Sequence, residues 1–404
     1  MLNGLVVLVI DGFGIGAMPD AGELRPEDAR ADTLGSLVAW SRSERGQQLH
    51  IPHLAALGLS DLRPDLELAT TSITAATTFR RAALGYPGAD SFAGHQTMMG
   101  ADMSQVTLAA VGDYVDQLSA VLLRAGHRVD LACGNRMLIV DGGVLVHDNL
   151  EADPRLNWNV SGRLSEFEWG QIEGIARLVR SIAPVARVIA VGGYSDNALI
   201  ESVREGEVGT VGLDTPASGF YTKGGLKVNH LGAEIDYRHQ LPEVAARAGL
   251  PVTLVGKASD ILITESEVRR FPGVETEKLL DITTDLIGEP GLSVVNVQQT
   301  DLAGHQQDVG RYVSLIEQVD AAVGEWLPGL GDAGLVVTAD HGNDPCIEHA
   351  FHTREYVPVL AASTGRGHSL DVDLATLADI AGGACVALGL DVDELVHGQP
   401  VKLI

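Results

Sequence analysis

The chain has 404 residues, enough for two or three domains of about 150 residues each, so size does not restrict it to a small binding module. Apolar residues make up 45% and charged residues 20%, a balance that excludes wholesale disorder. The 28 basic and 54 acidic side chains give a formal net charge of −26, which repels nucleic-acid phosphates and anionic lipids. We therefore expect no nucleic acid and no membrane surface as a partner, and we infer no protein partner.

Cysteine usage and the N-terminus both favour the cytoplasm. The three cysteines, Cys133, Cys346 and Cys385, are odd in number and widely spaced, so they predict no disulfide framework. The first apolar run is too short to span a membrane and lacks the basic segment of an export signal. We expect a cytoplasmic protein whose first apolar run is a buried strand.

Short runs rich in Val, Ile and Leu alternate with helical stretches along the chain. The runs predict strands buried on both faces at Leu5–Ile10, Arg187–Val191, Val252–Val255, Leu292–Val297, Leu335–Thr338 and Val357–Ala361. The other stretches predict helices over Thr33–Arg42, Thr107–Arg124, Glu166–Ile182, Thr276–Ile287, Arg311–Trp326 and Leu374–Leu388. This alternation predicts an α/β fold.

The middle of the chain differs from its two ends. Between residues 102 and 219, side chains suited to chemistry become sparse, and polar turn clusters such as Asn157-Trp158-Asn159 appear. We predict a smaller inserted cap domain over 102–219 and a metal-binding catalytic core made of 1–101 and 220–404. A cleft would form where the insert covers the carboxyl ends of the core strands.

Acidic and imidazole side chains follow three of the predicted strands, and one further histidine precedes a fourth. Ligands bind outside the carboxyl ends of such strands. Each residue alone has an ordinary interpretation, since aspartates cap turns and histidines often lie on the surface. Together they form a set of six candidate metal ligands: Asp11, Asp301, His305, Asp340, His341 and His352.

Six ligands of mixed carboxylate and imidazole type suit two divalent metal ions. The mixture favours manganese, zinc or iron over calcium and magnesium, with magnesium kept as an alternative. Two metals about 3.5–4 Å apart can hold both oxygens of an in-line phosphoryl displacement. The ligand set therefore predicts phosphoryl chemistry.

A nucleophile for that chemistry is offered by Ser91, which lies in the segment Gly88-Ala89-Asp90-Ser91-Phe92-Ala93-Gly94-His95. The segment is typical of a helix start, where backbone amides and the helix dipole favour an alkoxide and a phosphate ester. A plain N-cap is the other interpretation of this serine.

Several of these segments resemble the phosphopentomutases of the alkaline phosphatase superfamily, which are related to cofactor-independent phosphoglycerate mutase. The blocks that carry the resemblance are Val6–Gly16, Ala31–Gly35, Ile51–Leu54, Thr338–Pro345 and His352–Val359. The resemblance implies an alkaline-phosphatase-like core, with a mostly parallel sheet flanked by helices, and an inserted α+β cap. It also implies a phosphomutase that moves a phosphoryl group between positions of a phosphorylated pentose or a related sugar.

The resemblance implies a role for each candidate residue. Two metal ions, manganese by preference, would be held by Asp11, Asp340 and His341, with Ser91 in contact, and by Asp301, His305 and His352. Ser91 stands where the family carries a threonine that becomes phosphorylated, and serine is chemically competent for this role. Lys257 would contact a phosphate, and we predict His95 as a second substrate contact.

Two departures from the family pattern affect the assignment. Before Asp301 the chain reads Val297-Gln298-Gln299-Thr300, where phosphopentomutases carry acidic residues and one more position. The Asp301 assignment therefore depends on the D-x-x-G-H pattern of the wider superfamily. In the predicted cap, Val191-Gly192-Gly193 lacks the arginine expected to hold a sugar phosphate. We therefore expect an altered substrate pocket.

Two alternatives to a phosphomutase stay open on the sequence. A metal-dependent phosphatase or phosphodiesterase would use the same site with water in place of the sugar hydroxyl, unless the cap excludes water. A degenerate protein would bind a sugar phosphate without turning it over. Loss of metal ligands would be the sequence sign of that state, and all six ligands are present.

Overall fold

The computed structural model describes residues 1–23, 25–151, 153–364 and 373–404. Within these ranges the chain divides into two compact units: a core unit, Met1–Met103 with Asp236–Ile404, and an inserted unit, Ser104–Ile235. The inserted unit continues beyond the predicted boundary at residue 219, because a strand over Lys227–Gly232 pairs antiparallel with Arg187–Gly193.

The strands and helices are numbered here in chain order. The strands are β1 (Gly4–Ile10), β2 (Ala76–Ala82), β3 (Val129–Ala132), β4 (Met137–Val140), β5 (Val144–Asp148), β6 (Asn157–Arg163), β7 (Arg187–Gly193), β8 (Val203–Glu205), β9 (Val211–Leu213), β10 (Lys227–Gly232), β11 (Val252–Gly256), β12 (Arg269–Phe271), β13 (Gly291–Val297), β14 (Ala333–Thr338) and β15 (Val357–Ser363). The α-helices are α1 (Thr33–Glu44), α2 (Pro52–Leu54), α3 (Ser60–Leu62), α4 (Ser91–Met98), α5 (Val115–Arg124), α6 (Trp169–Arg180), α7 (Thr215–Ser218), α8 (Leu241–Arg247), α9 (Lys257–Ile261), α10 (Thr276–Leu286), α11 (Gln299–His305), α12 (Val309–Trp326) and α13 (Ala378–Leu388).

The core unit is built on a seven-stranded sheet in the order β12-β11-β13-β1-β14-β15-β2. The first five strands are parallel to one another, and only β15 runs in the opposite direction, antiparallel to both of its neighbours, β14 and β2. Every residue of β1, β13, β14 and β15 is buried, as expected for strands covered on both faces. The prediction of an α/β fold with a mostly parallel sheet is confirmed.

All six predicted strands are present, but three predicted helices begin later than expected, and the one predicted from Glu166 begins at Trp169. The helix predicted from Thr107 begins at Val115, because the backbone amides before it are used elsewhere: Ala109 N–H donates to Arg155 O, and Val111 N–H to the Asp148 carboxylate. The helix predicted from Leu374 begins at Ala378. Leu374 instead forms a parallel bridge with Ala82 at the end of β2.

The inserted unit contains a mixed six-stranded sheet in the order β10-β7-β6-β5-β4-β3 and a small β8-β9 hairpin. Helices α5 and α6 bury Leu118, Leu122, Ile172 and Ile175 in one apolar cluster with residues of this sheet. In the described parts of both units, no helix combines the length and apolar character that crossing a bilayer requires.

Candidate active site

The strand order of the core sheet delivers the candidate residues to one edge. Strands β13, β1 and β14 are adjacent and parallel, so their carboxyl ends coincide. Asp11 follows β1, Asp340 follows β14, and α11 carries Asp301 and His305 just after β13. His352 precedes β15, whose antiparallel direction places its start at the same edge. The fold therefore explains why these strand ends can form one site.

Ser91 is the first residue of α4, which Asp90 caps by accepting a hydrogen bond from Ala93 N–H at 2.9 Å. The Ser91 hydroxyl is 2.6 Å from Asp340 Oδ2, to which it can donate, and 3.4 Å from Asp11 Oδ1. Its oxygen accepts a hydrogen bond from Lys257 Nζ at 2.7 Å. A hydroxyl held between carboxylates and an ammonium group is well placed for deprotonation.

Lys257 enters the site because β11 turns sharply into α9. The turn occurs at Gly256, which has φ +67°, and an added Cβ would overlap the carbonyl oxygen of Asn296, so a side chain there would be both strained and obstructed. Lys257 Nζ lies 2.5 Å from Asp11 Oδ2. Burial alone would lower the pKa of Lys257, but the carboxylates of Asp11, Asp301 and Asp340 raise it above its ordinary value. The lysine is therefore a fixed positive charge beside Ser91.

Three of the predicted ligands lie together beside Ser91. His341 Nε2 is 3.3 Å from Asp340 Oδ2 and 3.7 Å from Asp11 Oδ1. Burial, followed by the charge of Asp340, raises the pKa of Asp11 to about 7. Burial also lowers the pKa of His341 to about 4. These shifts mark a place where buried carboxylates repel one another and the imidazole stays neutral.

The other three predicted ligands form a second group. Asp301 Oδ2 is 3.4 Å from His305 Nε2, and Asp301 Oδ1 is 3.4 Å from His352 Nε2. The two groups adjoin, because the rings of His341 and His352 have centroids 3.9 Å apart. Ligand atoms of Asp301, His341 and His352 all lie within 4.8 Å of one another. All six predicted ligands are thus brought together, with His341 at the junction of the two groups.

The orientation of the three histidines suits metal binding. Each Nδ1 lies at hydrogen-bond distance from a backbone carbonyl: His305 from Ala350 O (2.6 Å), His341 from Gly342 O (2.9 Å) and His352 from Ala89 O (3.1 Å). A carbonyl can only accept, so these contacts assign the proton to Nδ1 and leave an Nε2 lone pair for the site in each neutral ring. Metal-binding histidines are commonly held in this way.

Two features of the site call for a cation. The Nε2 atoms of His305 and His352 are 3.1 Å apart, so two lone pairs would face each other without a proton or a metal ion. His341 Nε2 is buried and has no hydrogen-bond partner among the described residues. With three buried carboxylates nearby, these nitrogens fit divalent metal ions.

His95, which the sequence suggests as a substrate contact, is fully buried. Its Nδ1 lies 2.8 Å from Ser91 O and 3.1 Å from Asp340 Oδ2, and its Nε2 lies 2.8 Å from Asn296 Oδ1. All of these partners are acceptors, so both ring nitrogens act as donors. Burial opposes the charged form, but Asp340 raises the pKa of His95. His95 therefore faces the carboxylate from inside the protein, where ligand atoms of Asp11, His95 and Asp340 lie within 4.8 Å of one another.

Sequence reasoning assigned no role to two asparagines that orient the carboxylates. Asn296 donates from Nδ2 to Asp11 Oδ2 at 2.8 Å, and Asn343 donates from Nδ2 to Asp301 Oδ1 at 2.8 Å. Both asparagines are buried. A polar residue inside the apolar run Val295-Asn296-Val297 is the signal that could have identified the first.

Known proteins are similar to this chain over nearly its whole length. Residues 3–392 match the metalloenzyme superfamily. The phosphopentomutase of Symbiobacterium thermophilum is 32% identical over 407 residues, covering 98% of this chain and 96% of that protein. The phosphopentomutase of Desulfitobacterium hafniense is 27% identical over 404 residues, covering 98% and 97%. Among solved structures, Leishmania mexicana phosphoglycerate mutase aligns with a TM-score of 0.47 and 12% identity, covering 100% of this chain and 98% of that chain.

Proposed function

The chain belongs to the phosphopentomutases of the metalloenzyme superfamily and is a phosphomutase, so we propose that it moves a phosphoryl group between two positions of a phosphorylated pentose or a related sugar. The observation that carries the proposal is the Ser91 hydroxyl, held by Lys257 Nζ at 2.7 Å and Asp340 Oδ2 at 2.6 Å. A nucleophile and a candidate proton acceptor are thus already in contact.

In the proposed reaction Ser91 carries the phosphoryl group. In the first half, the bond between phosphorus and Ser91 Oγ breaks, a bond forms to a hydroxyl oxygen of the sugar, and the hydroxyl proton leaves. In the second half, the other phosphoryl group of the resulting bisphosphate returns to Ser91 Oγ, and a proton replaces it on the sugar oxygen. No phosphate is released, so the net change is an isomerisation.

Lys257 and α4 stabilise the charge that develops in these steps. When the bond at Ser91 Oγ breaks, negative charge grows on an oxygen that already accepts a hydrogen bond from Lys257 Nζ. Ser91 is the first residue of α4, where the positive end of the helix dipole favours a phosphate group. Both groups are in place beforehand and act without reorganisation.

The six predicted ligands fit two divalent metal ions. We assign Asp11, Asp340 and His341, with Ser91 in contact, to one ion and Asp301, His305 and His352 to the other. The mixture of oxygen and nitrogen donors fits manganese, zinc or iron, and the resemblance to the phosphopentomutases favours manganese, with zinc or magnesium as alternatives. Bound at these residues, the ions would act as Lewis acids that neutralise charge in phosphoryl transfer.

The residues of the inserted unit support an altered substrate preference. The segment Val191-Gly192-Gly193 lacks the arginine that the family pattern leads us to expect there, and Val191 packs in an apolar cluster with Leu213 and Phe220. A Cβ at Gly193 would overlap the ring of Phe220. This part of β7 therefore has no room for a guanidinium group, so we propose that the phosphate remote from the reaction is held by other groups than in the family pattern.

A single incubation tests the proposal. Manganese-loaded protein is mixed with ribose 5-phosphate or ribose 1-phosphate and followed by phosphorus NMR, with Ser91→Ala as the control. Interconversion of the two esters at constant total ester supports a mutase. Release of inorganic phosphate would indicate a phosphatase instead. Neither change, with either ester, would contradict phosphoryl transfer on these two sugars.

A further inference from the structure

Glu355 is a fully buried carboxylate next to the candidate site that the proposed reaction does not use. Its Oε2 accepts hydrogen bonds from the backbone amides of Gly16 and Thr33, both at 2.9 Å. Its Oε1 accepts from the hydroxyls of Thr33 and Thr353, at 2.6 and 2.7 Å. Four donors thus converge on a single side chain, and all of them need an acceptor.

Two glycines of the ligand-bearing loops lie against this carboxylate. A Cβ placed on Gly14, three residues after Asp11, would overlap Glu355 Oε2 and Cδ. A Cβ on Gly342, directly after His341, would overlap Glu355 Oε1. The glycines of these two loops therefore make room for the carboxylate, which fixes how closely the loops approach each other.

The partners of Glu355 also hold the loop that carries His341. The Thr33 hydroxyl accepts a hydrogen bond from Asn343 N–H, and the Thr353 hydroxyl accepts one from Asp344 N–H, both at 3.2 Å. Gly342 and Thr353 exchange two backbone hydrogen bonds, at 3.0 and 2.9 Å. Glu355 thus joins the segments that contain Asp11, His341 and His352 to the start of α1.

From this network we propose that Glu355 is a positioning residue that sets the spacing of the metal-ligand loops, a role that rests on the proposed metal-dependent function. It contacts no ligand side chain in the hydrogen bonds described, and acts through Gly14, Gly342 and the two threonines. Its carboxylate form matters because all four partners donate. A glutamine would turn its NH₂ group towards two of them, and outer partners of metal ligands typically change metal affinity about 10- to 100-fold when altered.

The chain offers a closely matched control in Glu243 of α8, a buried glutamate of the core unit. Its Oε2 accepts hydrogen bonds from Glu265 N–H (2.9 Å) and Ser266 N–H (3.0 Å), and its Oε1 accepts from the Ser266 hydroxyl (2.7 Å). Glu243 thus has two amide partners and one hydroxyl partner, one hydroxyl fewer than Glu355, and none of them lies in a ligand-bearing loop. Glu243→Gln therefore measures the stability lost when a buried carboxylate becomes an amide, at a position outside the metal-ligand loops.

The experiment measures Mn²⁺ binding and stability in separate assays. Free Mn²⁺ is titrated by electron paramagnetic resonance against wild-type protein, Glu355→Gln and Glu243→Gln, and thermal unfolding is recorded in EDTA. We expect both variants to lose stability, and only Glu355→Gln to bind Mn²⁺ about 10- to 100-fold more weakly. Saturating Mn²⁺ should recover much of its kcat.

Equal Mn²⁺ affinity in wild type and Glu355→Gln would overturn the positioning role while leaving the proposed function intact. Absence of Mn²⁺ binding by wild-type protein would overturn both. If Glu355→Gln does not fold, two variants of Thr353 test the inference instead. Thr353→Val should bind Mn²⁺ more weakly than wild type. Thr353→Ser, which keeps the hydroxyl donor, should bind Mn²⁺ as wild type does. Unchanged affinity in Thr353→Val would then contradict the inference.

Discussion

Each unit of this protein contains an adjacent pair of buried histidine and aspartate, and only one pair belongs to a candidate active site. Asp340 and His341 follow β14 in the core unit, while His147 and Asp148 end β5 in the inserted unit. Burial lowers the pKa of both histidines to about 4. Neither adjacency nor burial therefore distinguishes the two pairs.

The two pairs differ in whether their side-chain atoms already have hydrogen-bond partners within the protein. In the inserted unit, the two oxygens of Asp148 accept hydrogen bonds from Val111 N–H (2.8 Å) and Val211 N–H (2.9 Å), and His147 Nε2 contacts Ser161 Oγ at 2.9 Å. These contacts join separate segments of that unit, and His147 Nδ1 lies 2.7 Å from Asp148 O, so both ring nitrogens have a hydrogen-bond partner.

In the core unit, His341 Nε2 has no hydrogen-bond partner among the described residues, and Asp340 crowds a second carboxylate, Asp11. Such an excess of negative charge and free lone pairs would destabilise the fold unless a cation binds there. Uncompensated buried charge and unpartnered nitrogen, more than burial, therefore distinguish the candidate site from the pair in the inserted unit.

The largest effect should come from the nucleophile, which has no counterpart beside His147. Ser91→Ala removes the oxygen that accepts the phosphoryl group, so we expect turnover to fall by about a thousandfold or more. Bound metal should stay near the wild-type amount, and Ser91→Thr should keep part of the activity. Normal turnover by the alanine variant, or peptide mapping of a stable phosphoryl group to another residue, would refute the assignment.

The same substitution in each pair tests the comparison directly. Asp340→Asn removes a charged ligand, and we expect a loss of activity of about 10²–10³-fold, with bound metal falling towards one ion per chain. Asp148→Asn turns one acceptor into a donor facing a backbone amide, so it should cost about 1–3 kcal/mol of stability.

Activity of folded Asp148→Asn should stay close to the wild-type value. Elemental analysis, turnover and thermal unfolding of the two variants provide the check. Comparable losses of turnover in both folded variants would remove the distinction between the pairs.

Substrate choice should show a smaller effect. A hydrogen bond to a charged group contributes about 1.5–3 kcal/mol, so lacking an arginine near Val191 should weaken ribose 5-phosphate about 10- to 100-fold relative to a phosphopentomutase that carries it. We expect ribose 5-phosphate to be a poor but detectable substrate. Steady-state kinetics giving kcat/KM within the usual enzyme range of about 10⁴–10⁸ M⁻¹s⁻¹ would show that the pocket is not altered in this way.

The smallest effect concerns the stability of metal-free protein. The pKa of Asp11 is raised by burial and by Asp340 to about 7, so between pH 4 and 7 the folded protein retains a proton that the unfolded chain releases. Asp11 therefore contributes less stability as the pH rises through this window.

In EDTA, the Tm of Asp11→Asn should increase relative to that of wild type as the pH rises from 4 to 7. The expected increase is about 2–4 °C for each 1 kcal/mol of difference in the free energy of unfolding. Added Mn²⁺ should reverse the order, because the variant lacks a ligand. A difference in Tm that does not change with pH would contradict the assigned pKa shift.

Part of the site could be predicted from the sequence, because the position of a residue just after an apolar run determines where it lies in the sheet. Apolar runs identified the buried strands, and residues directly after those runs had to lie at one edge of a parallel sheet. Asp11, Asp301 and Asp340 are such residues, and each lies at the predicted edge. Apolar runs do not predict strand β2. Its sequence ATTFRRA carries two arginines, and in the structure its residues alternate between buried and partly buried.

By itself, the sequence determined the α/β class, the set of candidate ligands and the serine at a helix start, since each depends on neighbours a few residues away. Only the tertiary structure decided that His95 faces inward to Asp340, that His341 lies where the two ligand groups meet, and that Glu355 lies against Gly14 and Gly342. These contacts join residues far apart in the chain, and hydrogen-bond partners and close approaches across such distances are set by packing, which no local pattern records.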